Sequence, residues 1–206
     1  MPQLILIASI IVILWSLSGY FSSRVEHAQY SVLEKKHEYE IRLYPAHIVA
    51  QTTVTGPYRE ALGDGFRVVA GYIFGNNTKK QNIAMTAPVL DERKSENIAM
   101  TAPVLATRGD DAHLISFGMP QEYTLDTLPV PNDSRVKIVM IPEKKYAVQR
   151  FSWWSTESRF KRLQKELQGF LIRDGLSTKG EAIYAGYNAP WNPPWMNRNE
   201  ILIEVE

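Results

Sequence analysis

The chain has 206 residues, 45 % of them apolar and 22 % charged, the composition of an ordinary globular protein. Lys and Arg total 23 and Asp and Glu 22, a net charge of +1, so no basic excess recommends a nucleic-acid partner. There is no cysteine, which excludes disulfides, thiolate metal sites and cysteine nucleophiles.

No charge precedes Arg24, and Leu4 to Phe21 is almost wholly apolar over 18 residues. As a helix it would span about 27 Å, close to the ~30 Å hydrocarbon core of a bilayer. Residues 1–26 therefore read as a signal peptide or a retained membrane anchor, with 1–21 meeting the membrane. Either reading makes the remainder membrane-anchored or exported, with the periplasmic side expected. Residues 27–38 read as a polar tether, with His27 and His37 solvated.

Glu40–Thr55 is rich in β-branched and aromatic residues and broken by Pro45, giving two strand pieces or one bent strand. A helix follows. Thr55 is placed to cap it, Pro57 suits its first turn, and Tyr58, Leu62, Phe66, Val69 and Ile73 recur at helical spacing up to Gly75-Asn76-Asn77. Gly63, Gly65 and Gly71 each cost about 1 kcal/mol against alanine inside a helix, so something is expected to approach that helix closely.

The nine residues NIAMTAPVL occur at 82–90 and again at 97–105, separated by DERKSE. Ile, Met and Val alternate in each copy (Ile83, Met85, Val89; Ile98, Met100, Val104), predicting two strands of an antiparallel hairpin with one buried side. Pro88 and Pro103 must end or bulge them. His113–Met119 is a further strand, and 121–134 a Pro- and Asp-rich connection.

The pattern then restarts. Val136–Phe151 is again a strand pair with an internal proline, Pro142, 97 positions after Pro45. A second helix is capped by Ser155 or Thr156, carries the stripe Phe160, Leu163, Leu167 and Phe170, and ends at Gly175, 100 positions after Gly75. Strands from Ile183 and over Ile201–Val205 close the chain. The repeat predicts one α+β domain over 39–206, with related halves 39–120 and 135–206 sharing a core and two helices against an antiparallel, barrel-like sheet.

Four separated motifs carry a family likeness: the YEIRLYP opening, the helix ending in GNN, the doubled IAMTAPV phrase and the closing YNAPWNPPWMNRNEI. Together, over roughly Tyr39 to Val205, the chain resembles the SOUL haem-binding protein family. The resemblance implies a pseudo-twofold, twisted antiparallel β-barrel flanked by two α-helices, preceded here by the N-terminal hydrophobic helix, and a role in binding haem or another tetrapyrrole.

A tetrapyrrole needs an apolar slot, cationic donors for its carboxylates and, optionally, an axial iron ligand. Phe66, Tyr72, Met85, Met100, Trp191, Trp195 and Met196 are candidates for the slot. Arg198, with Arg67, Lys79 and Lys80, could meet propionates, although a plain ion pair between Arg198 and Glu200 is the simpler reading. Where family members carry a histidine in the opening motif this chain has Leu43, which cannot ligate iron. His47 is the candidate metal ligand instead, but four residues along a strand is roughly 13 Å, so it would define a different site. The loop Tyr187–Arg198 reads as a stiff rim over the slot or as a packed proline-rich closure. No GxSxG motif or phosphate-cradling glycine loop is present, so the expectation is a non-enzymatic carrier, buffer or sensor of haem; a general binding module for small apolar molecules is the alternative.

Overall fold

Prolines and glycines set the element boundaries much as their backbone preferences require. In the computed structural model residues 26–79, 95–108, 112–188 and 192–206 are described, together with the single positions Leu6 and Trp15. In chain order the elements are β1 (Glu26–His27), β2 (Ser31–Lys35), β3 (Glu40–Tyr44), β4 (His47–Thr55), α1 (Tyr58–Ile73), β5 (Asn77–Thr78), β6 (Thr101–Ala102), β7 (Val104–Arg108) and β8 (Ala112–Gly118). They continue with β9 (Val130–Pro131), β10 (Lys137–Ile141), β11 (Lys144–Phe151), α2 (Glu157–Arg173), β12 (Thr178–Gly186) and β13 (Asn199–Val205), with a 3-10 turn at Pro194–Met196 before the last strand. The architecture is α+β, with antiparallel strands and two helices. The N-terminal hydrophobic helix, the first NIAMTAPVL copy and Lys80 lie outside the described residues, apart from Leu6 and Trp15. Among the described residues no helix is long and apolar enough to cross a membrane.

The chain divides into two compact units, residues up to 44 with 145–206, and residues 45–144. In the first unit the strand order is β12-β13-β11-β3-β2. Tyr146–Phe151 of β11 runs antiparallel to Asn199–Glu204 of β13, and β12 pairs with the other edge of β13, with a register break between Lys179 and Ile183. The amphipathic helix α2 lays Phe160, Leu163, Leu167 and Leu171 on the sheet, against Ile41, Ala147, Ile201 and Ile203. The expected Phe170 packs half-buried against the same cluster, and the stripe extends to the fully buried Leu171, both in phase with the earlier positions at 3.6 residues per turn. Thr156 caps the helix, its Oγ1 accepting the Arg159 N–H at 3.3 Å. Part of the expected tether is ordered: Ser31–Lys35 is an exposed edge strand antiparallel to β3.

In the second unit the order is β10-β4-β8-β7, and β4 pairs with β10 on one side and with Ala112–Gly118 of β8 on the other. The helix α1 packs on this sheet through Val69, Tyr72 and Ile73, against Ile48, Ala50, Ile115 and Phe117. Its first turn is not capped by Thr55. Pro57 is the N-cap, without a side-chain cap bond, and its carbonyl accepts the N–H groups of Glu60 and Ala61; proline there has no N–H to leave unsatisfied. The second NIAMTAPVL copy breaks at the cis Ala102–Pro103 bond into β6 and β7, so the alternation does not run through: Ile98 and the whole of 101–103 are buried while Met100 and Val104 are half-buried.

Each unit has its own apolar cluster. Both helices close in the same way. Gly75 and Gly175 adopt φ of +104 and +71, and the N–H groups of Asn76 and Leu176 reach back to the Gly71 and Leu171 carbonyls at 2.9 Å each, the six-to-one bond of a Schellman end. The sequence offset of 100 is thus an offset between equivalent turns.

Candidate functional site

A groove of about 550 Å³ runs along α1 in the second unit, lined by Thr52–Thr55 of β4, by Asp64, Arg67, Val68, Gly71 and Asn76, and by Asp133 and Arg135. Helical spacing puts Asp64, Arg67, Val68 and Gly71 on one side of α1. Thr53 and Thr55 are exposed on β4 beyond Gln51, where its pairing with β10 ends, while Thr52 is buried.

Each groove arginine is held by a neighbouring aspartate: Arg67 by Asp64, three residues earlier, and Arg135 by Asp133, with Nη2 and Oδ2 2.6 Å apart. The Arg135 guanidinium and backbone N–H hold the Asp133 carboxyl down at about 2, so it is ionised at neutral pH. Both arginine side chains are largely exposed, 74 % and 66 %, and exposed pairs of this kind are worth about 0–1 kcal/mol. Either guanidinium can therefore turn to a ligand carboxylate at little cost. Thr52 is buried, and its Oγ1 has no hydrogen-bond partner among the described residues.

The glycines of α1 divide by what surrounds them. A Cβ on Gly65 would come within 2.8 Å of Ile115 Cγ1, which is the close approach the sequence predicted. On Gly71 it would meet nothing within 4 Å, and on Gly63 only the tip of Arg67, 3.8 Å away. Gly71 therefore leaves a bare stretch of helix facing the groove that none of the described residues covers within 4 Å.

The second concentration of chemistry is in the first unit. Glu200, in β13, is fully buried. Its Oε1 accepts Arg198 Nε at 3.0 Å and Nη2 at 2.8 Å, and its Oε2 accepts Arg42 Nη1 at 3.0 Å and the Tyr187 hydroxyl at 2.6 Å. Burial pushes the Tyr187 phenol far above its usual range, reinforced by the Glu200 charge. Burial opposes the Arg42 cation too, but the Glu200 carboxylate outweighs it and holds the group charged. Arg42 also pairs with Glu40 at 2.7 Å and stacks over the Tyr30 ring at 4.3 Å.

The sequence candidates fall in both units. In the second, Tyr72 is buried and donates its hydroxyl to the Pro129 carbonyl at 3.0 Å. Phe66 packs half-buried against Phe117, ring centroids 5.3 Å apart, and Met100 is half-buried. His47 opens β4 with Nδ1 2.8 Å from the Pro45 carbonyl oxygen; among the described residues no group of three or more His, Cys, Asp or Glu is placed to hold a metal. Lys79 pairs with Glu96 at 3.3 Å.

In the first unit, Arg198 is engaged by Glu200 and by the Tyr30 hydroxyl at 3.3 Å, the ion pair anticipated as the simpler reading. Trp195 is exposed and Met196 half-buried in the 3-10 turn. The described part of the Tyr187–Arg198 loop is tied to itself: the Tyr187 N–H reaches the Arg198 carbonyl at 3.2 Å, and the Arg198 N–H reaches Asn188 Oδ1 at 2.6 Å. Met85 and Trp191 lie outside the described residues. None of these described candidates lines the groove. Of its lining, Arg67 and Gly71 carry a sequence signal and Thr55 reads as a helix cap, whereas Thr52 and Thr53 read only as β-propensity, Asp133 as connection, and Arg135 carries no signal.

A model of the SOUL heme-binding protein family matches residues 25–204. The chain is 31 % identical over 163 residues to heme-binding protein 2 of Homo sapiens, covering 78 % of this chain and 74 % of that one. It is 29 % identical over 175 residues to heme-binding protein 2 of Mus musculus, with 81 % of each chain covered. Among solved structures it is similar to the EcmrR C-terminal domain, with a TM-score of 0.58 at 10 % identity over 86 % of this chain and 98 % of that one. It is also similar to a hydrolase from Listeria innocua, with a TM-score of 0.53 at 14 % identity over 84 % and 94 %. At such identities the last two likenesses concern fold alone.

Proposed function

The chain belongs to the SOUL heme-binding protein family, and from that premise we propose that it binds haem or a related tetrapyrrole without transforming it, in the groove along α1, as a carrier, buffer or sensor. The observation that carries the reading is Gly71. It costs the helix about 1 kcal/mol, lines the groove, and among the described residues nothing lies within 4 Å of where its side chain would start. A flat ligand lying on the helix would fill that space.

The lining fits part of such a ligand. The volume suits a macrocycle, Arg67 and Arg135 suit its two carboxylates, and Val54, Val68 and the bare helix at Gly71 offer it a face. Among the described residues the lining has no imidazole, thioether or thiolate for iron, and Leu43 stands where a histidine could. The binding energy is therefore assigned to the ring and its carboxylates. The threonine and Asp–Arg walls also favour the broader reading, a module for small amphipathic carboxylates.

Titration of the full chain in detergent with hemin, beside metal-free protoporphyrin, tests this. We expect a saturable spectral change near one equivalent, affinities equal within a few-fold for the two ligands, and a loss of roughly tenfold or more when Arg67 and Arg135 are both replaced by Ala. No saturation at micromolar protein would overturn tetrapyrrole binding. A strong preference for hemin would overturn the iron-independent mode.

We extend the proposal to architecture and placement. The two strand–helix–strand repeats are copies of one plan, supported by the matching proline breaks and Schellman ends, and residues 1–21 anchor or export the domain to the periplasmic face. Membrane fractionation checks the latter.

A further inference from the structure

The first unit presents three tryptophans to solvent. Trp153 and Trp154, in the connection after β11, are 51 % and 54 % exposed, and Trp195, in the 3-10 turn, is 40 % exposed. The Trp153 and Trp195 rings meet edge-on with centroids 6.4 Å apart. Trp153 takes a φ of +72, a conformation that bulky side chains avoid. It is fixed there by its N–H to the Pro194 carbonyl and by Asn199 Nδ2 on its own carbonyl, each at 2.9 Å. The chain thus holds a strained backbone in a position that leaves the side chain out in water.

Two further observations say what covers the patch. The Trp15 ring meets Trp195 edge-on at 5.3 Å, so the patch reaches a residue that the sequence places inside the apolar Leu4–Phe21 stretch. The exposed face of α2, which begins three residues after Trp154, carries Lys161, Arg162 and Lys165 beside Glu157 and Glu166; Lys161 pairs with Glu157 at 3.0 Å, and the remaining cations complement anionic headgroups. Indole rings pair an apolar body with one N–H donor, which places them at the level between acyl chains and headgroups.

We propose that Trp153, Trp154 and Trp195 form a membrane contact additional to the N-terminal segment, seating the first unit in the interfacial layer of an anionic bilayer. The contact fixes the orientation of that unit against the surface rather than leaving it on a loose tether.

The test uses the full chain reconstituted in vesicles of an equal mixture of phosphatidylcholine and phosphatidylglycerol, with brominated acyl chains as the quencher. Brominated lipid should quench tryptophan emission, and Trp154→Phe should remove a definite share of that quenching without altering the far-UV circular dichroism. A chain retaining Trp154 as its only tryptophan should shift to the blue and become shielded from aqueous iodide on reconstitution. If that variant does not fold, Trp154→Phe alone decides. Unchanged lipid quenching in Trp154→Phe overturns the proposal. So does Trp154 emission that is blue-shifted before lipid is added and indifferent to brominated chains, because residues 4–21 or a second copy would then cover the patch. A contact that persists in phosphatidylcholine alone supports the tryptophan contact and overturns the role given to the α2 cations.

Discussion

Alanine substitution at two glycines of the same helix should stabilise the protein at one, Gly71, and not at the other, Gly65. Replacing either glycine brings a helix-propensity gain of about 1 kcal/mol. At Gly71 nothing opposes it, since the new methyl meets no atom within 4 Å. With an m-value of about 2–3 kcal/mol/M, Gly71→Ala should raise the urea midpoint by about 0.3–0.5 M. At Gly65 the methyl falls 2.8 Å from Ile115 Cγ1, 2.9 Å from Cδ1 and 3.0 Å from Cβ, and Ile115 is fully buried. Because Cβ itself is among the clashing atoms, a rotamer change cannot relieve the contact. Overpacking of about 1–3 kcal/mol should cancel the propensity gain or exceed it, leaving Gly65→Ala neutral to about 2 kcal/mol destabilised. A third variant, Gly71→Leu, should fold at least as well as the parent and lose hemin binding, because its side chain occupies the flat face. Urea unfolding followed by circular dichroism and hemin titration read all three. A lowered midpoint for Gly71→Ala, or parental hemin affinity in Gly71→Leu, would refute the assignment of that glycine to a ligand.

Glu200→Ala should cost about 3–5 kcal/mol by leaving two arginines in or near the interior without their anion, whereas Tyr187→Phe, which removes one bond to that carboxylate, should cost about 1.5–3 kcal/mol; urea midpoints separate the two. Acid should weaken the protein as Asp174 protonates. The Arg173 guanidinium, and then the Tyr39 hydroxyl, hold its carboxyl at about 2 against 3.8, so its contribution is complete above pH 3.8 and is lost as pH falls through about 2. At the alkaline end, burial and then Asp174 push the Tyr39 phenol up to about 12 from 10; its contribution is complete below pH 10 and is lost as pH rises through about 12. Asp174→Asn should flatten the acid limb and Tyr39→Phe the alkaline one in a plot of midpoint against pH. Thr156→Ala should cost about 1 kcal/mol by uncapping α2, while Thr55→Ala should cost little, because Pro57 and not Thr55 begins α1.

Local signals made the element order legible. Pro45 and Pro142 interrupt strand pairs because neither can donate to a ladder, and Gly75 and Gly175 end helices because each needs a positive φ. What sequence reading missed depends on pairing between distant segments. Nothing near Glu40–Tyr44 announces that it belongs with 145–206, nor that the polar run Ser31–Lys35 becomes an edge strand by pairing with it. The site was harder still. Large apolar residues were sought as pocket lining, but in a folded chain such residues are the first to be consumed by the core, as Tyr72 was. The groove is lined instead by groups the core does not want: threonine hydroxyls, two Asp–Arg pairs and a glycine. The clue that was visible, three glycines in one helix, needed coordinates to separate the one squeezed by Ile115 from the one facing open space.

The four bonds converging on Glu200 carry a consequence for inheritance. Both carboxylate oxygens are fully engaged, so a lineage that loses Arg42, Tyr187 or Arg198 strands the remainder, and one that loses Glu200 strands all three. Drift at these positions should be concerted, the set surviving or vanishing together, while the exposed Asp–Arg pairs of the groove are free to change one at a time as ligands change.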